Sequence, residues 1–291
     1  MSDPQAAALP PQAVWDTLSQ AERDAAYNNN AAVANSAALV EGRNSASLTW
    51  RSNFPAKLDL AYGPRDRMAM DLYPAADSHA PCLVFIHGGY WQKNSREVFA
   101  AYAKGPIEAG WSVAMPSHTL APDASLAEIV AEIGDALDWL VREGRMHGID
   151  GPIVLAGWSA GAQLTAMLLN HSSVVAGLAI SGVYDLAPIR DTFLNEALKL
   201  TDHEVAMLSP LRLPVVQKPL AIVYGTNEVP ALVHDSLQFH EMRSREGAPG
   251  PLIAIDGADH FTILDGLLAA DGALVAAAAE ILATARPAAS A

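Results

Sequence analysis

The chain has 291 residues, enough for one large α/β domain or two small ones, and 51% of them are hydrophobic, ample for a buried core. Its formal net charge is −14, from 32 acidic against 18 basic residues, which argues against nucleic acid or an anionic membrane as a partner because phosphate binding needs a basic face. A single cysteine, Cys82, excludes an internal disulfide framework and any multi-cysteine zinc site, and no apolar stretch reaches membrane-spanning length without charge or proline.

In chain order, Met1-Ser2-Asp3-Pro4-Gln5 lacks the basic then apolar run of a signal peptide, so a cytoplasmic protein is the expectation. Residues 1–50 are rich in Ala and Asn, with helical patterning around Ala13–Leu18 and Ala21–Leu39, and are expected to pack as helices or loop over the core. Leu58–Tyr62 and Met68–Tyr73 flank Gly63-Pro64-Arg65-Asp66 and read as an antiparallel hairpin. Buried-strand runs then alternate with helical stretches: Leu83–Ile86, Ser112–Met115, Ile153–Ala156, Val175–Ile180, Leu220–Tyr224 and Leu252–Ile255. Cys82, at the head of the first run, reads as a small buried apolar residue. Leu126, Ile129, Val130, Ile133, Leu137, Leu140 and Val141 mark one face of a helix. The fold class expected is therefore α/β, a mostly parallel central sheet with an antiparallel N-terminal hairpin and helices on both faces. Between Tyr184 and Pro219 the rhythm breaks into a cap-type insertion at about residues 185–218, with Leu186–Leu198 and Glu204–Leu208 as short helical candidates. The organisation expected is an N-terminal segment over residues 1–50 and a catalytic domain over residues 51–291, ending in an Ala-rich helix from Ala273 that frays near Pro287.

Gly157-Trp158-Ser159-Ala160-Gly161 follows the run Ile153–Ala156 and opens a helical stretch, Gln163–Leu169. A G-x-S-x-G sequence on a strand-to-helix turn is the nucleophile elbow of α/β-hydrolases, in which a strained serine is pushed toward substrate. A serine hydroxyl needs a histidine base, itself oriented by a carboxylate, in the chain order serine, acid, histidine. Of nine histidines, His260 lies directly after the last strand run, where a loop can swing it over Ser159. His118 precedes Ser159 and breaks the order, while His171, His203, His234 and His240 read as surface or helix residues. Glu228 is the first carboxylate on the loop after Leu220–Tyr224; Asp235 is a weaker alternative inside a helical stretch. Asp256 and Asp259 lie too close to His260, although Asp259 can hydrogen-bond locally. His87-Gly88-Gly89-Tyr90-Trp91 follows Leu83–Ile86, where esterases keep an H-G-G loop, which makes the N–H groups of Gly88, Gly89 and Ala160 the candidate oxyanion donors. The competing reading of Gly88-Gly89 is a plain tight turn, and His87 reads as a structural loop residue. Tyr90, Trp91 and Trp158 are candidates for an aromatic substrate wall, with core packing as the alternative.

These residues resemble the kynurenine formamidase (arylformamidase)-like branch of the α/β-hydrolases, related to the hormone-sensitive-lipase group. The likeness is carried by His87-Gly88-Gly89-Tyr90-Trp91-Gln92, Leu120-Ala121-Pro122, Ser181-Gly182-Val183-Tyr184-Asp185-Leu186 and Leu208-Ser209-Pro210-Leu211, with Tyr27-Asn28-Asn29-Asn30 and His260-Phe261. The resemblance implies hydrolysis of an N-formyl aryl amine such as N-formylkynurenine, or of small aryl or short-acyl esters, without metal or other cofactor. Trp158 departs from the smaller or polar residue of many relatives, and His118 from a common Tyr; both bear on the substrate and leave Ser159, Glu228 and His260 intact. The expected partner is a small acyl substrate, with homo-oligomerisation left open. A short-chain carboxylesterase and a non-catalytic hydrolase-fold binding protein are the rival readings.

Overall fold

Apolar runs too short for helices and bounded by turn residues form eight strands: β1 (Lys57–Ala61), β2 (Ala69–Tyr73), β3 (Cys82–Ile86), β4 (Ser112–Pro116), β5 (Ile153–Trp158), β6 (Val174–Ile180), β7 (Leu220–Gly225) and β8 (Leu252–Ile255). They make one sheet in the order β1-β2-β4-β3-β5-β6-β7-β8. β1 and β2 pair antiparallel, β2 runs antiparallel to β4, and every later pairing is parallel. The structure is a computed structural model and describes residues 15–285. The expected helix start at Ala13, the Met1–Gln5 segment and the fraying at Pro287 lie outside the described residues.

β2 to β5 are buried along their whole length because helices cover both faces, whereas the edge strand β1 alternates between exposed and half-buried positions. The pleat of β5 divides the interior into two cores. Ile153 and Leu155 face the helices Leu126–Glu143 and Ala160–Leu168; Val154, Ala156 and Trp158 face the 3₁₀ segment Arg96–Ala103 and the C-terminal helix Ala273–Ala285. Leu126–Glu143 begins at a capping box of Ser125 and Glu128 and buries Leu126, Ile129, Ile133, Leu137 and Leu140. Val130 is only partly buried and Val141 is 58% exposed, contrary to the helical face read from sequence. The apolar stripe drifts round a helix of 3.6 residues per turn, and Val141 has rotated off its edge near the C-terminus.

Among the described residues the N-terminal segment forms helices at Gln20–Ala26, Asn29–Ala32 and Ser36–Asn53. The apparently continuous pattern over Ala21–Leu39 is broken because the Asn28 side chain accepts the N–H of Ala31 and starts a new helix. This segment packs on the insertion after β6, with Trp15 Nε1 donating to Asp191 (3.0 Å) and Phe193 N to Asp24 (2.7 Å). The insertion itself holds short helices at Ala187–Arg190, Asn195–Leu198 and Asp202–Leu208, so the single run expected over Leu186–Leu198 is two turns. Among the described residues no helix is long and apolar enough to cross a membrane.

Helix Ser36–Asn53 is tied to the sheet by a charge cluster centred on the buried Asp71 and Arg96. Asp71 on β2 accepts Arg51 Nε at 2.6 Å and Arg96 Nε at 3.0 Å, and both arginines also reach Asp59. Removing Asp71 takes away the one buried carboxylate and leaves Arg51 and the buried Arg96 to share the exposed Asp59. Asp71→Ala is therefore expected to destabilise the protein by about 3–5 kcal/mol, read from the urea midpoint. A change below about 1 kcal/mol would show that the cluster is not needed.

Candidate active site

The end of β5 and the start of helix Ala160–Leu168 leave one residue for the turn. Ser159 sits there at φ 57°, ψ −118°, a conformation costing a side-chain-bearing residue about 1–3 kcal/mol. Its neighbours must be glycine: a Cβ on Gly157 would lie 2.1 Å from the Gly161 carbonyl oxygen, and one on Gly161 would lie 2.2 Å from that of Ile86. Ser159 N donating to Ile180 O (2.8 Å) ties the turn to β6.

Two strand-end loops converge on this serine. After β7, Asn227 N donates to Ala258 O (2.9 Å) and Asn227 Nδ2 to Gly257 O (3.0 Å), joining the Glu228 loop to the His260 loop. His260 Nε2 lies 3.1 Å from Ser159 Oγ, and its Nδ1 lies 3.0 Å from Glu228 Oε2. All three residues are buried. The other Glu228 oxygen accepts the Ser181 hydroxyl and Gly225 N (3.2 Å). With Nδ1 facing the accepting carboxylate, His260 carries its proton on Nδ1 and turns the Nε2 lone pair toward the Ser159 hydroxyl.

The other acids are engaged elsewhere. Asp235 is fully buried and accepts Tyr184 N at 2.9 Å, anchoring the loop after β6; burial pushes its carboxyl up to about 8. Asp259 accepts the N–H groups of Phe261 (2.8 Å) and Thr262 (2.9 Å), folding the His260 loop on itself. Ser181 was not singled out from sequence as a site residue, although its motif was. Its signal is a polar residue at the end of a buried strand beside the elbow, and the structure holds it at φ 52°.

The H-G-G loop lies against the elbow, where a Cβ on Gly88 would come 2.6 Å from Trp158 O and 2.9 Å from Ser159 Cβ. Asn94 Nδ2 donates to Gly88 O at 3.0 Å, so the N–H of Gly89 on the same peptide points the opposite way. Among the described residues, the backbone N–H groups of Gly88, Gly89 and Ala160 have no protein acceptor. Beneath the loop His87 and His118 stack at 4.7 Å, both buried. Burial pushes His118 down to about 4 and His87 well below the usual imidazole value, which keeps this floor uncharged.

The three candidate wall aromatics divide between two sides. Tyr90 and Trp91, together with Tyr27, Asn29, Val183 and Leu232, line a small cavity of about 10 Å³ beside Ser159. Tyr90 closes it by accepting Asn29 N (3.1 Å) and donating to Tyr27 O (3.2 Å), while Trp91 Nε1 donates to Gln163 (3.2 Å). Trp158, last on β5, faces the opposite core. Its indole N–H donates to His260 O (2.8 Å), its ring lies 4.7 Å from the imidazole, and it borders a second cavity of about 270 Å³. No group of three or more His, Cys, Asp or Glu among the described residues is placed to hold a metal ion.

A family profile described as BD-FAE matches residues 70–176, a stretch from β2 to β6 that takes in the H-G-G loop and the elbow. The kynurenine formamidase of Danio rerio is 27% identical over 235 residues, covering 75% of this chain and 79% of that protein. A putative thioesterase from Silicibacter sp. TM1040 superposes with a TM-score of 0.78 at 29% identity, covering 89% of this chain and 99% of that one. An esterase from Pyrobaculum calidifontis shares the fold at a TM-score of 0.67 and 19% identity, over 84% of this chain and 92% of its own.

Proposed function

We propose that this chain, a kynurenine formamidase-like hydrolase of the α/β-hydrolase superfamily acting on formamide or ester substrates, cleaves small aryl formamides of the N-formylkynurenine kind through a Ser159 acyl-enzyme. The observation that carries the reading is the continuous relay from Ser159 Oγ through His260 to Glu228, beside three backbone N–H groups without acceptors. In the first step His260 Nε2 takes the hydroxyl proton as Ser159 Oγ bonds to the formyl carbon, and the carbonyl becomes an oxyanion facing Gly88, Gly89 and Ala160. Glu228 holds the imidazolium as it forms. The C–N bond then breaks as His260 returns the proton to the leaving nitrogen, and water repeats the cycle to release formate and free serine.

The narrow cavity at Ser159, walled by Tyr90 and Trp91, favours a one-carbon acyl group over a long chain. Catalysis belongs to residues 51–291 on this reading, with the N-terminal helices and the 185–218 insertion roofing the site. A cytoplasmic setting suits a chain whose lone cysteine is a buried thiol, with burial pushing it up to about 12. The net charge of −14 supports a small molecule, not nucleic acid, as its partner. Comparing kcat/KM for N-formylkynurenine with that for short-chain alkyl esters tests the assignment. A preference for the formamide is the expected result; an ester preference of several orders of magnitude makes the protein a carboxylesterase. A fluorophosphonate adduct on Ser159 is expected in either case, and its absence ends the serine-hydrolase reading.

A further inference from the structure

Most side-chain polar atoms around the small cavity beside Ser159 have partners. Ser159 Oγ faces His260, Trp91 Nε1 donates to Gln163, and the Tyr90 hydroxyl sits between Tyr27 O and Asn29 N. Asn29 and Tyr27 supply the exceptions. Both are buried and line the cavity, and among the described residues neither Asn29 Oδ1 nor the Tyr27 hydroxyl has a hydrogen-bond partner. A buried acceptor left without a donor costs about 1–3 kcal/mol, so an interior seldom keeps one without a use.

The orientation of the Asn29 amide follows from its neighbour. The Tyr90 hydroxyl has one hydrogen, which goes to Tyr27 O at 3.2 Å, so toward Asn29 it can only accept. It accepts Asn29 N (3.1 Å) and Asn29 Nδ2 (3.4 Å), which leaves Oδ1 as the free end of the amide. The Asn29 carbonyl is used as well, accepting Val33 N at 3.3 Å. The flanking residues hold this arrangement in place. Asn28 caps helix Asn29–Ala32 by accepting Ala31 N (3.1 Å), and Tyr27 O holds the Tyr90 hydroxyl. The run Tyr27-Asn28-Asn29 thus sets one unused acceptor in the wall of a cavity shared with Ser159 and Ala160.

Ala160 brings to the same cavity a backbone N–H without a protein acceptor among the described residues. The wall therefore offers a free donor and a free acceptor. A secondary formamide offers the reverse, a carbonyl oxygen and an N–H on either side of one C–N bond, whereas an ester has the carbonyl and no hydrogen. We infer that Asn29 Oδ1 accepts the N–H of the scissile formamide, which makes Asn29 the residue that favours an amide over the corresponding ester. The bond is worth most in the transition state. As Ser159 Oγ bonds to the formyl carbon, the nitrogen loses its conjugation and turns a lone pair toward the proton on His260 Nε2, so its own hydrogen must point elsewhere. An acceptor for that hydrogen stabilises the pyramidal nitrogen; an ester oxygen carries no hydrogen to place. This assignment rests on the serine-hydrolase reading above and adds what separates its amide from its ester substrates.

The test compares formanilide with phenyl formate, which differ only in having N–H or oxygen between the formyl group and the ring. Asn29→Ala should lower kcat/KM for formanilide roughly 10- to 100-fold more than for phenyl formate, mainly through kcat. Asn29→Asp keeps an oxygen at this position and should lose less of the formanilide rate than Asn29→Ala. N-methylformanilide lacks the hydrogen, so its turnover should fall no further in Asn29→Ala than that of phenyl formate. A structural role through the Tyr90 hydroxyl predicts another pattern, with equal losses on formanilide and phenyl formate, as in Tyr90→Phe. Equal losses, an unchanged ratio, or a wild type that cleaves the ester and not the anilide overturn the Asn29 assignment while leaving the hydrolase reading standing. A wild type that cleaves neither compound and takes no fluorophosphonate adduct on Ser159 overturns both.

Discussion

Ser159→Ala is expected to lower kcat by about five to six orders of magnitude with little loss of stability. Alanine keeps the Cβ that packs against Gly88 and removes only the oxygen that faces His260. Whatever rate remains reflects the backbone donors of the oxyanion loop and the binding walls, which the substitution leaves in place. Ser159→Gly should be equally inactive yet more stable than Ser159→Ala, by about 1 kcal/mol. Glycine adopts φ 57° without a side-chain clash, which offsets its greater entropy in the unfolded chain. Steady-state kinetics and thermal melting on the two variants separate the chemical role from the conformational one. Turnover within tenfold of wild type in Ser159→Ala would remove Ser159 from the mechanism.

Glu228→Gln is expected to reduce kcat by about three to four orders of magnitude, because an amide at this position can donate to Nδ1 and stabilise the wrong imidazole tautomer. Ser181 and Gly225 N can still find an acceptor in the glutamine carbonyl, so stability should change little. Glu228→Ala should be slowed to a similar degree but also lose about 1–3 kcal/mol, since the buried Ser181 hydroxyl then faces no acceptor. Finding both variants at wild-type rates would return Asp235 to consideration. Its present bond to Tyr184 N gives it a task that explains its burial without catalysis.

Much of this architecture was legible because its causes are local. The runs at Leu83–Ile86 and Ile153–Ala156 are apolar enough to read as interior strands without knowing their partners, and β3 and β5 fall on them. A rule about loops following strands singles out Ser159, Glu228 and His260 as candidates, and the structure brings them within hydrogen-bonding reach. What escaped depends on contacts distant in sequence. Ser181 meets Glu228 only because β6 lies beside β7, and Trp158 meets His260 across 102 positions. Trp158 shared a sequence neighbourhood with the elbow, but the alternation of β5 side chains turned it to the far face, away from Tyr90 and Trp91. The break at Asn28 was hidden by an alanine-rich pattern that a helix would tolerate throughout.

The close approach of Gly88, Gly157 and Gly161 to neighbouring backbone also sets where this protein can vary. At the rear of the site, main chain meets main chain, and a single added carbon at any of the three would collide with a carbonyl oxygen. The elbow and the H-G-G loop are in effect one rigid casting, with backbone and the Trp158 ring packed directly against Gly88. Adaptation to another substrate, by selection or by design, has to proceed from the periphery: the N-terminal helices, the insertion after β6, and side chains such as Tyr90 and Asn29 that line the cavity beside Ser159. The reaction centre can stay constant while the roof over it changes.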